Sequence, residues 1–182
     1  MKVGIAIIIA AAFIVVYIIG AYNGLVRLRN YTKESWSQID TLLKRRYDLI
    51  PNLIETVKGY TKYEERVLTE IAQARSSLIS GDKSEAIDAN NKISQSLKSI
   101  FAVSEAYPDL KANQNFILLQ EELAGTENKI AYARKHYNEV VRQYNTKLEV
   151  FPSNIIAGMF GFKSNIYFEV KEEEKIVPQV QF

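Results

Sequence analysis

Histidine and carboxylate side chains are the groups of this chain that could hold a metal ion, and their spacing argues against one. The 182 residues include a single histidine, His136. Di-iron helical bundles use a Glu-x-x-His signature, but the residue three positions before His136 is Ala133. A metal would depend on carboxylates alone, such as Glu121, Glu122 and Glu127, which the pattern favours as a solvated helix face. We therefore expect no metal and no other cofactor.

The residues that other kinds of catalytic site require are also missing from the sequence. The chain contains no cysteine, which excludes thiol catalysis and disulfides. The segment Gly158–Gly161 is not followed by lysine at the spacing of a phosphate-binding loop. A regulatory or hydrolytic function would have to use polar residues that helices bring together, namely Asp48, Glu105, Asp109 and Glu127. Because none of these forms a recognisable catalytic motif, we expect that the protein is not an enzyme.

Lys44-Arg45-Arg46 is the one basic cluster of the sequence with a plausible partner. The sequence favours ion pairs with acidic residues of a facing helix, including Glu121, Glu122 or Glu127, over a contact with lipid or another protein. If the preceding helix is unbroken, the cluster lies about 30 Å beyond the bilayer edge, well past the Debye length of about 8 Å. The candidate interaction surface includes this cluster and four other residues: Lys44, Arg45, Arg46, Asp48, Asn128, Phe160 and Phe162.

The N-terminal segment determines where the protein works. No charged residue occurs from Val3 to Ile19, and Gly20, Ala21 and Tyr22 extend the run to the length that a helix needs to cross a bilayer. We predict a transmembrane helix from Val3 to Tyr22. A cleaved signal peptide is the alternative, but its apolar stretch is shorter and ends in a small-x-small site, which is poorly matched here. Because the chain has no cysteine, lipid attachment of the lipoprotein type is excluded.

Charge on either side of this segment sets its predicted orientation. Arg27, Arg29 and Lys33 follow it, whereas Lys2 and the α-amino group precede it. Basic residues prefer the cytoplasmic side, so the N-terminus is expected outside and the body in the cytoplasm. The net charge of +2 comes from 23 basic and 21 acidic residues mixed along the chain, which does not indicate nucleic acid as a partner.

Beyond the predicted transmembrane helix, apolar residues recur at every third or fourth position, which predicts long helices that each have one apolar face, or seam. The first seam comprises Trp36, Ile39, Leu43, Ile50, Leu53, Val57, Tyr60, Val67, Ile71, Ala74 and Leu78, interrupted by Arg46 and Glu64. The three-four spacing of the apolar residues continues across Pro51 without a shift. This continuity favours a kinked helix over a turn at Asp48–Asn52. Ser80-Gly81-Asp82-Lys83 predicts a helix end and a new start.

Two more helices are predicted. The second runs from about Ser84 to Ala106, with a thinner apolar face of Ile87, Ile93, Leu97, Ile100 and Val103. The third ends near Phe151-Pro152, and its seam comprises Phe116, Leu119, Leu123, Thr126, Ile130, Ala133, Tyr137, Val140 and Tyr144. Thr126 occupies a seam position and is suited to the role of a buried polar residue that fixes the register in which the helices pack. Short polar connections predict an all-α, up-and-down bundle of three to four long helices behind the transmembrane helix.

The C-terminal part leaves alternatives open. The apolar segment 154–162 predicts a short helix that closes the bundle, with a lipid-contacting surface patch as the alternative. From Ser164 an extended tail is predicted, which could pack on the bundle as readily as bind something. The predicted domains are thus an anchor over residues 1–22, a bundle over 23–163 and a tail over 164–182.

Several segments resemble the LemA family of bacterial membrane-anchored proteins. The resemblance runs from the anchor to Phe168. Its motifs include Tyr22–Asn30, Ser35–Asp40, Leu43–Leu53, Glu105–Asn113, Leu119–Leu123, Thr126–Ala131, Tyr137-Asn138 and Phe151–Asn154. The resemblance implies one transmembrane helix and a long-helix bundle, usually placed in the cytoplasm. It implies no catalytic residue, cofactor or substrate, and one magnetosome relative is tied to forming that organelle's membrane.

These features favour a structural or interaction protein. An anchored bundle with strong seams and no catalytic grouping is expected to present its surface to partner proteins or to assemble with copies of itself. Self-association is supported by the first seam, which is longer than the second helix can cover. The alternatives are the regulatory or hydrolytic function above and direct membrane remodelling through the apolar segment Ile155–Phe162.

Overall fold

The computed structural model describes residues 2–58 and 83–169, and within them the regular structure is entirely helical. The helices are α1 (Lys2–Lys58), α2 (Lys83–Ser104), α3 (Pro108–Lys111), α4 (Gln114–Glu149) and α5 (Ser153–Met159). The predicted all-α bundle with a long apolar N-terminal helix is confirmed. The predicted second and third helices correspond to α2 and α4, with the single-turn helix α3 between them.

Helix α1 passes through Pro51 without ending, over 57 residues. The alternative of a turn at Asp48–Asn52 is therefore wrong. Ile50, Leu53 and Val57 on both sides of the proline are buried, and this shared burial stabilises the helix against the loss of one backbone hydrogen bond. The later part of the predicted seam, from Tyr60 to Leu78, and the connection Ser80–Asp82 lie outside the described residues.

The described residues fall into two compact units. The first unit contains residues 2–39 and 133–167, and the second contains residues 40–58, 83–132 and 168–169. In the second unit, α1, α2, α3 and α4 each contribute to one apolar core. Its buried members are Tyr47, Ile50, Leu53, Val57, Ile93, Leu97, Ile100, Leu110, Phe116 and Leu123. The predicted seam positions within the described residues thus supply most of this core.

Helix α4 begins where the sequence supplies a capping residue. The side-chain oxygen of Asn113 accepts hydrogen bonds from the backbone N–H groups of Asn115 (2.9 Å) and Phe116 (3.2 Å). These groups have no partner within the helix, so the cap satisfies two donors of its first turn. The cap also brings Phe116, 1% exposed, into the core.

Helix α5 closes the first unit, as the sequence predicts. Ile156 and Ala157 are buried in one cluster with Ala21 and Leu25 of α1 and Tyr144 of α4. The chain then reverses at Gly161, which has a positive φ of 67°. Gly161 donates to the Gly158 carbonyl (3.3 Å) and Phe162 to the Ala157 carbonyl (3.0 Å), a Schellman motif that turns Phe162 back onto the unit.

Residues 163–166 run beside α4 and are held by its side chains. Tyr144 donates a hydrogen bond to the Lys163 carbonyl (3.0 Å), and Tyr137 donates to the Ile166 carbonyl (2.9 Å). Asn145 exchanges two hydrogen bonds with the backbone of Asn165, at 2.9 and 3.0 Å. This part of the chain therefore packs on the bundle, while residues 170–182 lie outside the described residues.

Candidate functional site

The N-terminal third of α1 is an apolar helix with an exposed surface. Residues 2–17 are exposed, and burial begins with Ile18, half-buried, and Ala21, 8% exposed. One stretch of α1 is long and apolar enough to cross a membrane, and none of its most apolar window is buried in the protein. Soluble domains do not leave such a surface open, because apolar side chains in water lose the hydrophobic stabilisation of burial.

The basic cluster divides between surface and interior of the second unit. Lys44 is exposed, and Arg45 forms an exposed ion pair with Glu122 at 3.5 Å. Arg46 is buried, with a side chain 3% exposed, and its Nη1 lies 2.6 Å from Oε2 of Glu127. The prediction that this cluster pairs with acidic residues of a facing helix is confirmed for both arginines.

Arg46 joins three helices through one guanidinium nitrogen. Nη1 donates to the Asn90 side-chain oxygen at 3.0 Å and to the Ser94 hydroxyl at 3.1 Å, both on α2, besides pairing with Glu127 on α4. Burial lowers the pKa of Arg46, and the nearby carboxylate of Glu127 opposes this shift. Nε of Arg46 is buried without a hydrogen-bond partner among the described residues. The network thus places a cation in the interior with Glu127 as its counter-charge.

The other predicted surface residues are distributed over both units. Asp48 and Asn128 are exposed in the second unit. Phe160, 54% exposed, and half-buried Phe162 belong to the first unit, where both rings contact Tyr22. The guanidinium of Arg29 lies 5.2 Å from the centre of the Phe162 ring, within the range of a cation–π contact.

Asn128 belongs to a continuous exposed stripe along α4. The stripe consists of exposed residues of the second unit that are three or four positions apart: Leu118, Glu121, Gly125, Asn128 and Tyr132. Leu118 is 60% exposed and Tyr132 is 77% exposed. A Cβ placed on Gly125 would have nothing within 4 Å. We call these five residues the α4 stripe. It carries two large apolar side chains on a face that has no covering element among the described residues.

Two of the polar residues considered for a hydrolytic function are engaged in separate ion pairs. Glu105 pairs with Lys111 at 2.5 Å on the surface, whereas Glu127 pairs with the interior Arg46. Asp48 and Asp109 are exposed. Within the described part of the chain, no group of three or more histidine, aspartate or glutamate side chains could hold a metal ion.

Sequence reasoning missed the partners of Arg46 on α2, and it missed the hydrogen bonds by which the seam residues Tyr137 and Tyr144 hold residues 163–166. Asn90 and Ser94 were detectable, because they occupy steps of three and four between Ile87 and Leu97 on the apolar stripe of α2. The buried hydroxyls of Tyr137 and Tyr144 had no such signal. Burial raises the pKa of Tyr137 to about 12 and also raises the pKa of Tyr144, so both phenols keep the proton that they donate.

Comparison with known proteins supports the resemblance in the sequence. The model of the LemA family matches residues 35–182, which is most of the chain. The chain belongs to the LemA family. The LemA protein of Metamycoplasma hominis is 28% identical over 166 residues, covering 90% of this chain and 75% of that protein.

More distant relatives of this LemA-family chain carry magnetosome names. Magnetosome protein MamQ 2 of Paramagnetospirillum magneticum is 22% identical, covering 92% of this chain and 71% of that protein. Magnetosome protein MamQ of Magnetospirillum gryphiswaldense is 20% identical, covering 99% and 77%. None of these names denotes an enzyme. With the exposed apolar segment of α1, family membership indicates a membrane-associated protein.

Proposed function

We propose that this LemA-family protein is a non-enzymatic scaffold, anchored in the bacterial cell membrane by α1, that presents its helical body to partner proteins or to copies of itself. The segment Val3 to Tyr22 has 20 residues, which at 1.5 Å per residue span about 30 Å, the thickness of a bilayer's hydrocarbon core. The magnetosome names of the relatives agree with a role at a membrane.

The continuity of α1 carries the proposal. One helix supplies the exposed apolar segment and then the buried residues Leu25, Ile39, Leu43 and Ile50. Within the first unit no connecting segment separates the exposed apolar residues from Ala21 and Leu25, which pack on α4 and α5. This arrangement suits a protein whose first unit is held directly at the membrane more than one that releases a substrate.

We propose the α4 stripe as the surface for a protein partner. Leu118 and Tyr132 supply apolar area, Tyr being a residue enriched in interfaces, and Gly125 leaves room for close approach of another backbone. Charged groups of Lys44, Arg45 and Asp48 are exposed in the same unit. They are suited to selecting the partner electrostatically.

Photo-crosslinking in native membranes tests this proposal. A benzophenone amino acid in place of Leu118 or Tyr132 of the full-length protein is expected to capture one recurrent species, identified by mass spectrometry as a partner protein or a second copy. The matched control places the same group at Gln120, an exposed residue of α4 off the stripe. Capture at Gln120 equal to that at both stripe positions, or no crosslinked protein at either, would reject the stripe as the interface.

We also propose that the body lies in the cytoplasm and the N-terminus outside, on the charge bias of Arg27, Arg29 and Lys33 over Lys2. The chain has no cysteine, so a single introduced one reports unambiguously. In the exposed-site variant His136→Cys, a membrane-impermeant maleimide should label only permeabilised cells. Labelling of intact cells to the same extent would reverse the proposed orientation.

A further inference from the structure

Five exposed apolar side chains lie within an eleven-residue stretch of the first unit where α4 gives way to α5. Their exposed fractions are 79% for Phe151, 71% for Met159, 54% for Phe160, 53% for Ile155 and 42% for Val150. We call these five residues the α5 face. No charged residue occurs from Val150 to Phe162, and Lys163 follows directly.

The α5 face lies beside the last turns of the transmembrane segment. The Tyr22 ring is 4.8 Å from the ring of Phe160, measured between centroids. On the buried side of α5, Ile156 and Ala157 pack with Ala21, and half-buried Ile18 packs against the same cluster. Where α5 contacts α1, it therefore does so at the part of α1 in which exposure changes to burial.

This position places the α5 face at the height of the membrane boundary. If α1 crosses the hydrocarbon core from Val3 to Tyr22, Tyr22 lies at the water–lipid interface, where tyrosine is enriched in membrane proteins. Ile18 and Ala21 then lie at or just inside that boundary, and the residues in contact with them cannot stand far above it. The inference thus rests on the membrane anchoring stated in the proposed function.

We propose that the α5 face inserts into the interfacial layer of the leaflet from which α1 emerges, so that lipid is its occupant. Helices of this kind bury an apolar face about 5–10 Å into the boundary between headgroups and acyl chains. Lys163, exposed at the end of the apolar segment, and Arg29 on α1 are positioned in the same unit to meet lipid phosphates. Helix α5 then serves two purposes: Ile156 and Ala157 close the bundle, while its outer side chains contact the bilayer. The body would be held to the membrane at two places.

Depth-dependent quenching of single-cysteine variants tests the inference. The full-length protein is reconstituted in vesicles of phosphatidylcholine and phosphatidylglycerol, and an environment-sensitive fluorophore is attached at Met159→Cys or, as a second variant, Phe151→Cys. Spin labels near the headgroup or deep in the acyl chain act as quenchers. For both variants we expect blue-shifted emission and several-fold stronger quenching by the shallow spin label than by the deep one.

Two control positions separate the possible results. Val16→Cys, in the anchor, is expected to be quenched best by the deep label. His136→Cys lies on α4 about 21 Å along the helix from Val150 and is expected to show emission and quenching typical of water.

Each contrary result has a distinct meaning. If Val16→Cys is not quenched by lipid, the membrane anchor in the proposed function fails, and the inference fails with it. If Val16→Cys is quenched while both α5-face variants behave like His136→Cys, only the inference is overturned. Energy transfer between labelled copies at Met159→Cys, without lipid quenching, would also overturn it, because a second copy rather than lipid would cover the face.

Discussion

Removing the carboxylate of Glu127 is expected to destabilise the protein far more than its half-exposed position suggests. Arg46 is 3% exposed, and Glu127 is the carboxylate that neutralises it. The substitution Glu127→Ala leaves the buried guanidinium with only the neutral acceptors of Asn90 and Ser94 and no counter-charge, and breaking a buried pair in this way costs about 3–5 kcal/mol. The loss should appear in urea unfolding of the full-length protein in detergent, followed by circular dichroism.

The effect should depend on the presence of Arg46. The variant Arg46→Met removes the charge itself and leaves the oxygen acceptors of Asn90 and Ser94 without their donor, at an expected cost of about 1–3 kcal/mol. Glu127, with 44% of its side chain exposed, can turn to water in that variant. In the Arg46→Met background, Glu127→Ala is therefore expected to cost close to nothing, so the coupling energy in the double-mutant cycle equals the full cost in the parent, about 3–5 kcal/mol.

Glu122→Ala is the matched control on the same helix. Glu122 pairs with Arg45 at 3.5 Å, and the two side chains are 49% and 55% exposed. Such a surface pair contributes about 0–1 kcal/mol because water screens both charges. Equal costs for Glu122→Ala and Glu127→Ala, or an unchanged cost of Glu127→Ala after Arg46→Met, would refute the reasoning that burial of the arginine determines the effect.

Three further predictions concern the first unit. Tyr137→Phe should lower the free energy of unfolding by about 1 kcal/mol, since the hydroxyl no longer donates to Ile166, whereas Tyr132→Phe on the surface should not change it. Because burial raises the pKa of Tyr137 to about 12, the protonated phenol is favoured by folding. Its contribution to stability is complete below about pH 10 and is lost as the pH rises through about 12, a dependence that alkaline unfolding curves should show in the parent and not in Tyr137→Phe. Gly161→Ala should destabilise by about 1–2 kcal/mol because φ is positive there, while Gly158→Ala within α5 should be neutral or stabilising by up to about 1 kcal/mol. Thermal melts that order the two glycine variants the other way would contradict this assignment of strain.

Local sequence patterns were sufficient to predict the long helices and much of the buried core. Apolar residues at steps of three and four have only one common face on a helix, so the spacing of Ile39, Leu43, Ile50 and Leu53 was enough to assign them to the interior, where they are buried. The unbroken phase across Pro51 also favoured a continuous helix. The candidate membrane segment could be identified from its length and lack of charge alone, because these properties depend on composition and require no tertiary partner.

The three residues of the basic cluster carry the same charge, and the seam pattern singled out only Arg46, without indicating what would hold its charge there. Lys44 and Arg45 point to the surface, while Arg46 falls in phase with the seam and is buried. The sequence indicated acidic partners on a facing helix, and only the packing of α2 against α1 and α4 selected Asn90 and Ser94 to complete the network.

The sequence by itself determined the long helices of the described residues, most of their buried faces and the candidate membrane segment, since each follows from interactions between residues near in sequence or from the choice between water and an apolar surrounding. The tertiary structure decided which side of α5 faces the bundle and which partners hold residues 163–166. Those contacts join residues far apart along the chain, such as Tyr22 with Phe160 and Tyr137 with Ile166. Such pairings depend on the distances and angles at which whole helices pack, which no local spacing encodes.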